Sequence, residues 1–323
     1  MSVRLLETDL RMYAGEHRGL LVEVTNTGDE RWPGGLDAEQ DIRLSCRLDG
    51  LEGPRSPLPA PVEPGASALA PVTAIAPDEP GRHQLELDLV HEHVRWLGVG
   101  TSVELEVVPR GETERALPGP LARRFGRRRI PRILHRVWLG SRPLPEEQQA
   151  FGQSWEARHP LWEHRLWGDG DLASLGIDPA ALERASDASA RSDIARHHVL
   201  ARHGGVCVDT DVECLRPLDP LLRGVSAFAG FALPGLVETS VLGAVPGHPA
   251  FRRAAELSLA VAGTPSPHTV PPLLTHTLWA FPEVTVFPRE YFSPYLRDDP
   301  ERRSETFPGA YAVNHRAKSW SRP

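Results

Sequence analysis

The stretch Ala188–Leu218, ASARSDIARHHVLARHGGVCVDTDVECLRPL, constrains this chain more than any other. A helical run carrying Asp193 and Arg196 stops at Gly204-Gly205 and feeds an apolar strand, Val206-Cys207-Val208. Asp209 and Asp211 stand one residue apart at the end of that strand. Polar residues at the carboxyl end of a strand sit where α/β folds bind their ligands. Asp193 and Arg196, three apart, share a helical face. In extended backbone Asp209 and Asp211 would point to opposite faces. If the chain turns there, both converge on a divalent cation, and oxygen donors select magnesium, manganese or calcium over zinc. A bare pair of solvated turn aspartates is the plainer alternative.

The pattern around this stretch divides the chain in three. Residues 1–109 carry short period-two runs (20–24, 42–48, 85–90 and 103–107) separated by turn signals such as Pro64-Gly65 and Pro80-Gly81. They predict an all-β sandwich of about seven strands. Its turn pattern loosely resembles the immunoglobulin-like accessory modules of bacterial carbohydrate enzymes. Trp32 and Trp96 are candidates for a sugar platform, with a core or strand-end tryptophan as the plainer reading. Residues 110–129 combine Pro118-Gly119-Pro120 with Arg123, Arg124, Arg127, Arg128 and Arg129 and read as a solvated linker. From 130 to 323 strands alternate with helices: strands at 133–139, 164–167, 227–231 and 240–244, helices at 145–159, about 190–203 and 249–261. A mostly parallel sheet covered on both faces follows from that alternation.

Composition excludes more than it identifies. In 323 residues with 40% hydrophobic content, the net charge of −7 argues against a dedicated nucleic-acid binder. Cys46, Cys207 and Cys214 are too few and too scattered for a disulfide framework or zinc knuckle, which makes a reduced, cytoplasmic setting the expectation. No window approaches the roughly 18 apolar residues of a membrane span, so any membrane contact is expected to be peripheral. His197, His198 and His203 follow one another around the helix and read as surface or packing residues.

The residues Ala190, Ser192-Asp193, Arg196, Leu200, Gly204-Gly205, Asp209-Thr210-Asp211 and Pro217-Leu218 resemble the A-x-S-D-x-x-R…G-G-x-Y-x-D-x-D…P-L signature of the DXD sugar-binding glycosyltransferases. That group comprises family 32 and its relatives, with initiating α-mannosyltransferases and, more distantly, the glucosylating domains of large clostridial toxins. The similarity spans about 130–320. Ile130 to Gly140 is similar to "IPKIIHQIWLG", Arg165-Leu166-Trp167 to "YRLW", Pro246 to Pro249 to "GHP", Pro271 to Thr275 to "TGPxxLT", and Ser319-Trp320 to a closing "SW".

The resemblance implies a Rossmann-like GT-A domain and a metal-dependent, retaining transferase. Such an enzyme moves a sugar from a UDP- or GDP-linked donor to a saccharide, lipid-linked saccharide, natural product or protein, with Mn or Mg as cofactor. By the same resemblance Trp138 stacks on the nucleobase, and Asp193, Arg196 and Thr210 line the donor site. Asp209 contacts donor hydroxyls or a metal-bound water, Asp211 ligates the metal, and Ser319 and Trp320 close over the diphosphate. Arg196 supports leaving-group charge. Four positions depart from the pattern: Cys207 replaces the usual Tyr, Thr239 an Asn, Val270 a Gly, and Asn314, followed by His315, stands where relatives carry a metal-ligating His. Asn314 and His315 are therefore both candidate ligands. The departures also motivate a catalytically degenerate binding protein. The loop "VCVDTDVE" superficially matches haloacid-dehalogenase-type phosphatases, which need a downstream lysine, and Lys318 is the only lysine here.

Overall fold

The computed structural model describes residues 2–6, 10–33, 42–91, 95–109, 127–185, 187–262, 266–295 and 299–316. Among them, residues 2–108 hold nine strands: β1 (Ser2–Leu5), β2 (Arg11–Tyr13), β3 (His17–Thr25), β4 (Ile42–Leu48), β5 (Leu51–Pro57), β6 (Ser67–Ile75), β7 (Gly81–His91), β8 (Arg95–Trp96) and β9 (Thr101–Val108). They form a three-stranded sheet, β1-β3-β6, and a second sheet, β2-β9-β7-β4-β5, with β8 on β7. Leu20, Val22 and Val24 of β3, Leu44 and Cys46 of β4 and Leu85, Leu87 and Leu89 of β7 meet in one aliphatic core. The period-two runs thus carry their inward residues to a shared interior. Trp32 is in this core. Trp96 is half-buried, with the Arg47 guanidinium 3.9 Å over its ring, so one face is taken by a cation.

The other face of the first sheet is covered as well. Leu21 packs with Leu257, Val261 and Leu273 from the second half of the chain. The His17 amide donates to the Pro234 carbonyl at 2.6 Å. Gly19 lies so close to the Pro272 backbone that no side chain fits.

Residues from 130 onward form β10 (Ile133–Val137), α1 (Glu146–Arg158), β11 (Glu163–Trp167), α2 (Pro179–Arg184), α3 (Ala188–His203), β12 (Gly205–Val208), β13 (Val212–Cys214), β14 (Ala227–Leu233), β15 (Leu236–Ala244), α4 (Pro249–Ala260), α5 (Ser266–Trp279), β16 (Thr285–Phe287) and β17 (Ala312–Asn314). The central sheet runs β11-β10-β12-β15-β14-β16. Its β10–β11, β10–β12 and β14–β16 pairs are parallel, while β15 runs against both neighbours, giving a mixed α/β sheet with one reversed strand. Residues alternate between two cores: Val206 and Val208 of β12 join Trp155, Phe228 and Phe292, whereas Cys207 joins Val199, Leu200 and Phe251. Cover on both faces is why β12 is apolar at every position. Helix α5 was not expected, since Pro271 and Pro272 stand inside it. Packing against β3 offsets the hydrogen bonds those prolines remove.

Of the linker, 110–126 lies outside the described residues. Arg128 departs from a solvated reading: it bridges to Arg223, pairs with Asp219 and lies 5.6 Å over Trp162. Among the described residues no helix is long and apolar enough to cross a membrane.

Candidate functional site: a carboxylate–guanidinium cleft

Helix α3 starts where Asp187 accepts the Ala190 amide at 2.8 Å. It ends at Gly204, whose φ of +64° reverses the chain toward the sheet. Gly205 also has positive φ, and a Cβ there would stand 2.6 Å from the Ile133 carbonyl oxygen. Gly-Gly is therefore a steric requirement of feeding α3 straight into β12. Beyond Val208 the chain turns, with the Val212 amide donating to the Asp209 carbonyl at 3.2 Å. Of the two sequence alternatives, the turn is the one adopted. The Asp209 amide is held by the Ser240 carbonyl at 2.9 Å, and the Asp211 carbonyl accepts the His315 amide at 3.0 Å.

These contacts border a cleft of about 390 Å³ lined by Trp138, Arg142, Ser192, Asp193, Arg196, Asp209, Thr210, Asp211 and Thr239 among others. Eight of these were singled out in the sequence: Trp138, Ser192, Asp193, Arg196, Asp209, Thr210, Asp211 and the departure Thr239. Trp138 is half-buried, with its indole N–H donating to the Arg142 carbonyl at 2.8 Å. Arg196 is buried, forms an ion pair with Asp193 at 3.0 Å and donates to the Thr239 carbonyl at 2.8 Å and to Asp209. Its guanidinium is committed to holding two carboxylates. The Thr239 bond uses the main chain, so replacing Asn by Thr there leaves that bond available.

Burial works against the charge of Arg196, but Asp209 and then Asp193 outweigh it and hold the guanidinium above its ordinary pKa. Burial is also the leading influence on Asp209 and raises its pKa. Arg196 pulls it down, and Asp211 and Asp193 push it up again. Asp209 keeps 24% of its side chain open to the cleft, so water relieves part of that push. Three carboxylates around one guanidinium leave surplus negative charge that a cation would neutralise.

Asn314 and His315 are adjacent to Asp211 through the backbone, but their side chains have other partners. Asn314 Oδ1 accepts the Arg316 amide at 2.8 Å. His315 Nε2 pairs with Glu213 at 2.9 Å, and its ring stacks on Phe151 at 4.6 Å. Neither borders the cleft. Among the described residues no three His, Cys, Asp or Glu side chains form a metal cage. Magnesium-type ions are commonly held by one or two carboxylates together with substrate phosphates, and Asp211 with Asp209 is a donor set of that kind. Ser319 and Trp320 lie outside the described residues.

His197 is fully buried, which makes it a packing residue and not a surface one. The His203 ring lies tilted against Trp167 and His135, with centroids 5.3 and 6.3 Å away. Sequence reasoning missed Arg142 and Ser189, which border the cleft, and Asp169, which accepts the Gly140 amide at 2.6 Å. The one available signal was that Asp169, like Asp209, follows a strand end.

Comparison with known proteins bears on the same region. Over 132 residues the chain is 31% identical to inositol phosphoceramide mannosyltransferase 3 of Schizosaccharomyces pombe, covering 37% of this chain and 35% of that protein. Over 131 residues it is 33% identical to the Saccharomyces cerevisiae mannosyl phosphorylinositol ceramide synthase SUR1, covering 39% and 34%. The chain thus spans about a third of the length of these curated relatives. Among solved structures, PaToxG glycosyltransferase matches with a TM-score of 0.40 and 15% identity over 47% of this chain and 69% of that one, too distant a likeness to carry an argument. Residues 145–226 match the family described as "Glycosyltransferase sugar-binding region containing DXD motif". Asp193, Arg196, Asp209 and Asp211 all lie within this matched segment, so the likeness to the DXD glycosyltransferases falls on the residues that build the cleft.

Proposed function

We propose that the chain transfers a sugar from a nucleoside diphosphate donor, bound in the cleft with Mn or Mg, to an acceptor hydroxyl. The observation that carries this reading is the buried Asp193–Arg196–Asp209 network beside Asp211 and Trp138 in one cleft. Arg196 orients Asp193 and Asp209 at the cleft edge, where their carboxylates would accept donor-sugar hydroxyls. Trp138 offers its open face to the nucleobase. Thr210 lines the floor between the aspartates. Asp211, with Asp209 directly or through water, would hold the cation, which supplies charge neutralisation for the departing diphosphate. Ser319 and Trp320 belong to the same reading as the closing segment.

In this reading the α/β half is a GT-A domain working with retention, residues 1–109 are an immunoglobulin-like sandwich, and 110–129 connect the two. The fungal relatives are named for a mannosyl donor and an inositol phosphoceramide acceptor. A lipid-borne sugar or inositol hydroxyl is accordingly the first acceptor class to test, with peripheral membrane contact.

Donor hydrolysis is the direct test. Full-length protein with MnCl2 is expected to release hexose from one of the UDP- or GDP-hexoses, and Asp211→Asn to slow the release by about 10²–10³-fold. If wild type neither binds nor hydrolyses any of them, the proposal fails; binding without release favours the degenerate binding protein.

A further inference from the structure

We propose that Asp169 is a positioning residue that locks the cleft wall carrying Trp138 to the helix carrying Asp193 and Arg196, so that the donor meets a preformed pocket. This rests on the reading of the cleft as a nucleoside diphosphate site. β10 and β11 are parallel and in register, Val137 beside Trp167, and the Trp138 amide donates to the Trp167 carbonyl at 2.9 Å. The chain therefore leaves both strands at the same edge of the sheet. Leaving β10, residues 138–142 form one wall of the cleft, with Gly140 at a φ of +100°. Leaving β11, the chain reaches Asp169 two residues later, the first residue of a 3-10 helix, Asp169–Leu175.

The Asp169 carboxylate uses both oxygens. Oδ2 accepts the Gly140 amide at 2.6 Å, and Oδ1 accepts from Arg191 at 2.7 Å. Arg191 lies on α3 between Ser189 and Ser192, which border the opposite side of the cleft. One side chain thus spans from the Trp138 wall to the Asp193–Arg196 helix. The pair is too open to matter much for stability, at 33% and 44% side-chain exposure for Arg191 and Asp169. Its geometric effect is larger, because an ordered wall removes the ordering cost from binding. Asn at 169 retains only one carbonyl oxygen and presents an NH2 to either Gly140 or Arg191, which are both donors, so one arm of the brace is lost.

Hydrogen exchange by mass spectrometry on the full chain, with calorimetric titration of UDP and GDP in MnCl2, tests the brace. In Asp169→Asn, exchange over 138–142 is expected to accelerate with the melting temperature unchanged, and nucleotide affinity to fall about tenfold, the scale of one lost preorganising contact. Arg191→Gln in the Asp169→Asn background is expected to add nothing further. Asp171→Asn, whose remaining carbonyl oxygen can still accept the Gly168 amide in the same turn, is expected to leave both readouts at the wild-type level. Unchanged exchange over 138–142 in Asp169→Asn overturns the proposal, as does an equal loss in Asp171→Asn. If wild type binds neither UDP nor GDP, the donor-site reading falls, and exchange over 138–142 still decides the brace.

Discussion

Both halves of the molecule bury polar side chains, but the partners differ. In residues 2–108, Asp88 accepts the amides of Leu89, Gly98 and Val99, and Asn26 ties the carbonyls of Glu30 and Val62 to the Gly28 amide. These groups are satisfied by main chain and fasten turns. In the α/β half, Arg196 pairs with both Asp193 and Asp209 at the edge of an open cleft. A buried polar group bonded to backbone closes a loop. Charged groups that hold each other beside a cavity keep lone pairs for something that is not protein.

The most severe test of this contrast removes the shared guanidinium. Arg196→Met leaves Asp193 and Asp209 without their cation and is expected to cost about 3–5 kcal/mol in denaturant unfolding, the penalty of breaking a buried ion pair. Adding Asp209→Asn in that background should recover part of the loss. At Asp211 the comparison is one of function. Asp211→Asn is expected to lower transfer or donor hydrolysis by about 10²–10³-fold with little change in stability, as removal of a group that supports developing charge does. Asp88→Ala should do the reverse, leaving activity intact while costing about 1–3 kcal/mol for stranded amides.

Acid should also separate the halves. In the α/β half burial lowers His135 and His159 to a pKa of about 4 and His197 to about 3. The unfolded chain then binds more protons than the folded one between pH 6.5 and 4, so stability falls as pH falls through that window. The His135 contribution alone is on the order of 3 kcal/mol. In the β half, the hydrogen bond that His83 donates to the Asp49 carboxylate raises the His83 pKa, so its small contribution is present at low pH and fades as pH rises through its folded value. Peptide-resolved hydrogen exchange at pH 7 and pH 5 is expected to show protection lost first around α3 and β10. The mildest test is at the seam. Gly19→Ala pushes β3 off Pro272 and is expected to cost about 1–3 kcal/mol in thermal unfolding, as overpacking does. Its effect on activity should be weaker, passing through Thr275 of α5, which accepts the Val237 amide of β15 at 2.9 Å.

Several elements were legible because their causes are local. Asp187 caps α3, Gly204 and Gly205 end it, and an apolar tetrapeptide between two core layers is a strand. The period-two runs at 20–24, 42–48, 85–90 and 103–107 fall inside β3, β4, β7 and β9 for the same reason. Helix α5 was hidden because proline opposes helix locally and only a surface from the other half of the chain compensates. The side chains of Asn314 and His315 were unreadable for a related reason. Their partners, Arg316, Glu213 and Phe151, are set by how β17 lies on β13.

The sequence by itself determined the helix, the glycine stop, the strand and the carboxylates at its end, since capping, positive φ and burial act within a few residues. Only the tertiary structure decided what those groups do for one another. It set Arg196 between Asp193 and Asp209 at the cleft, and it joined Asp169 to Gly140 and Arg191 across 29 and 22 residues of chain. Distances of that kind are fixed by the register of parallel strands and by helices docked on them, which no local pattern encodes.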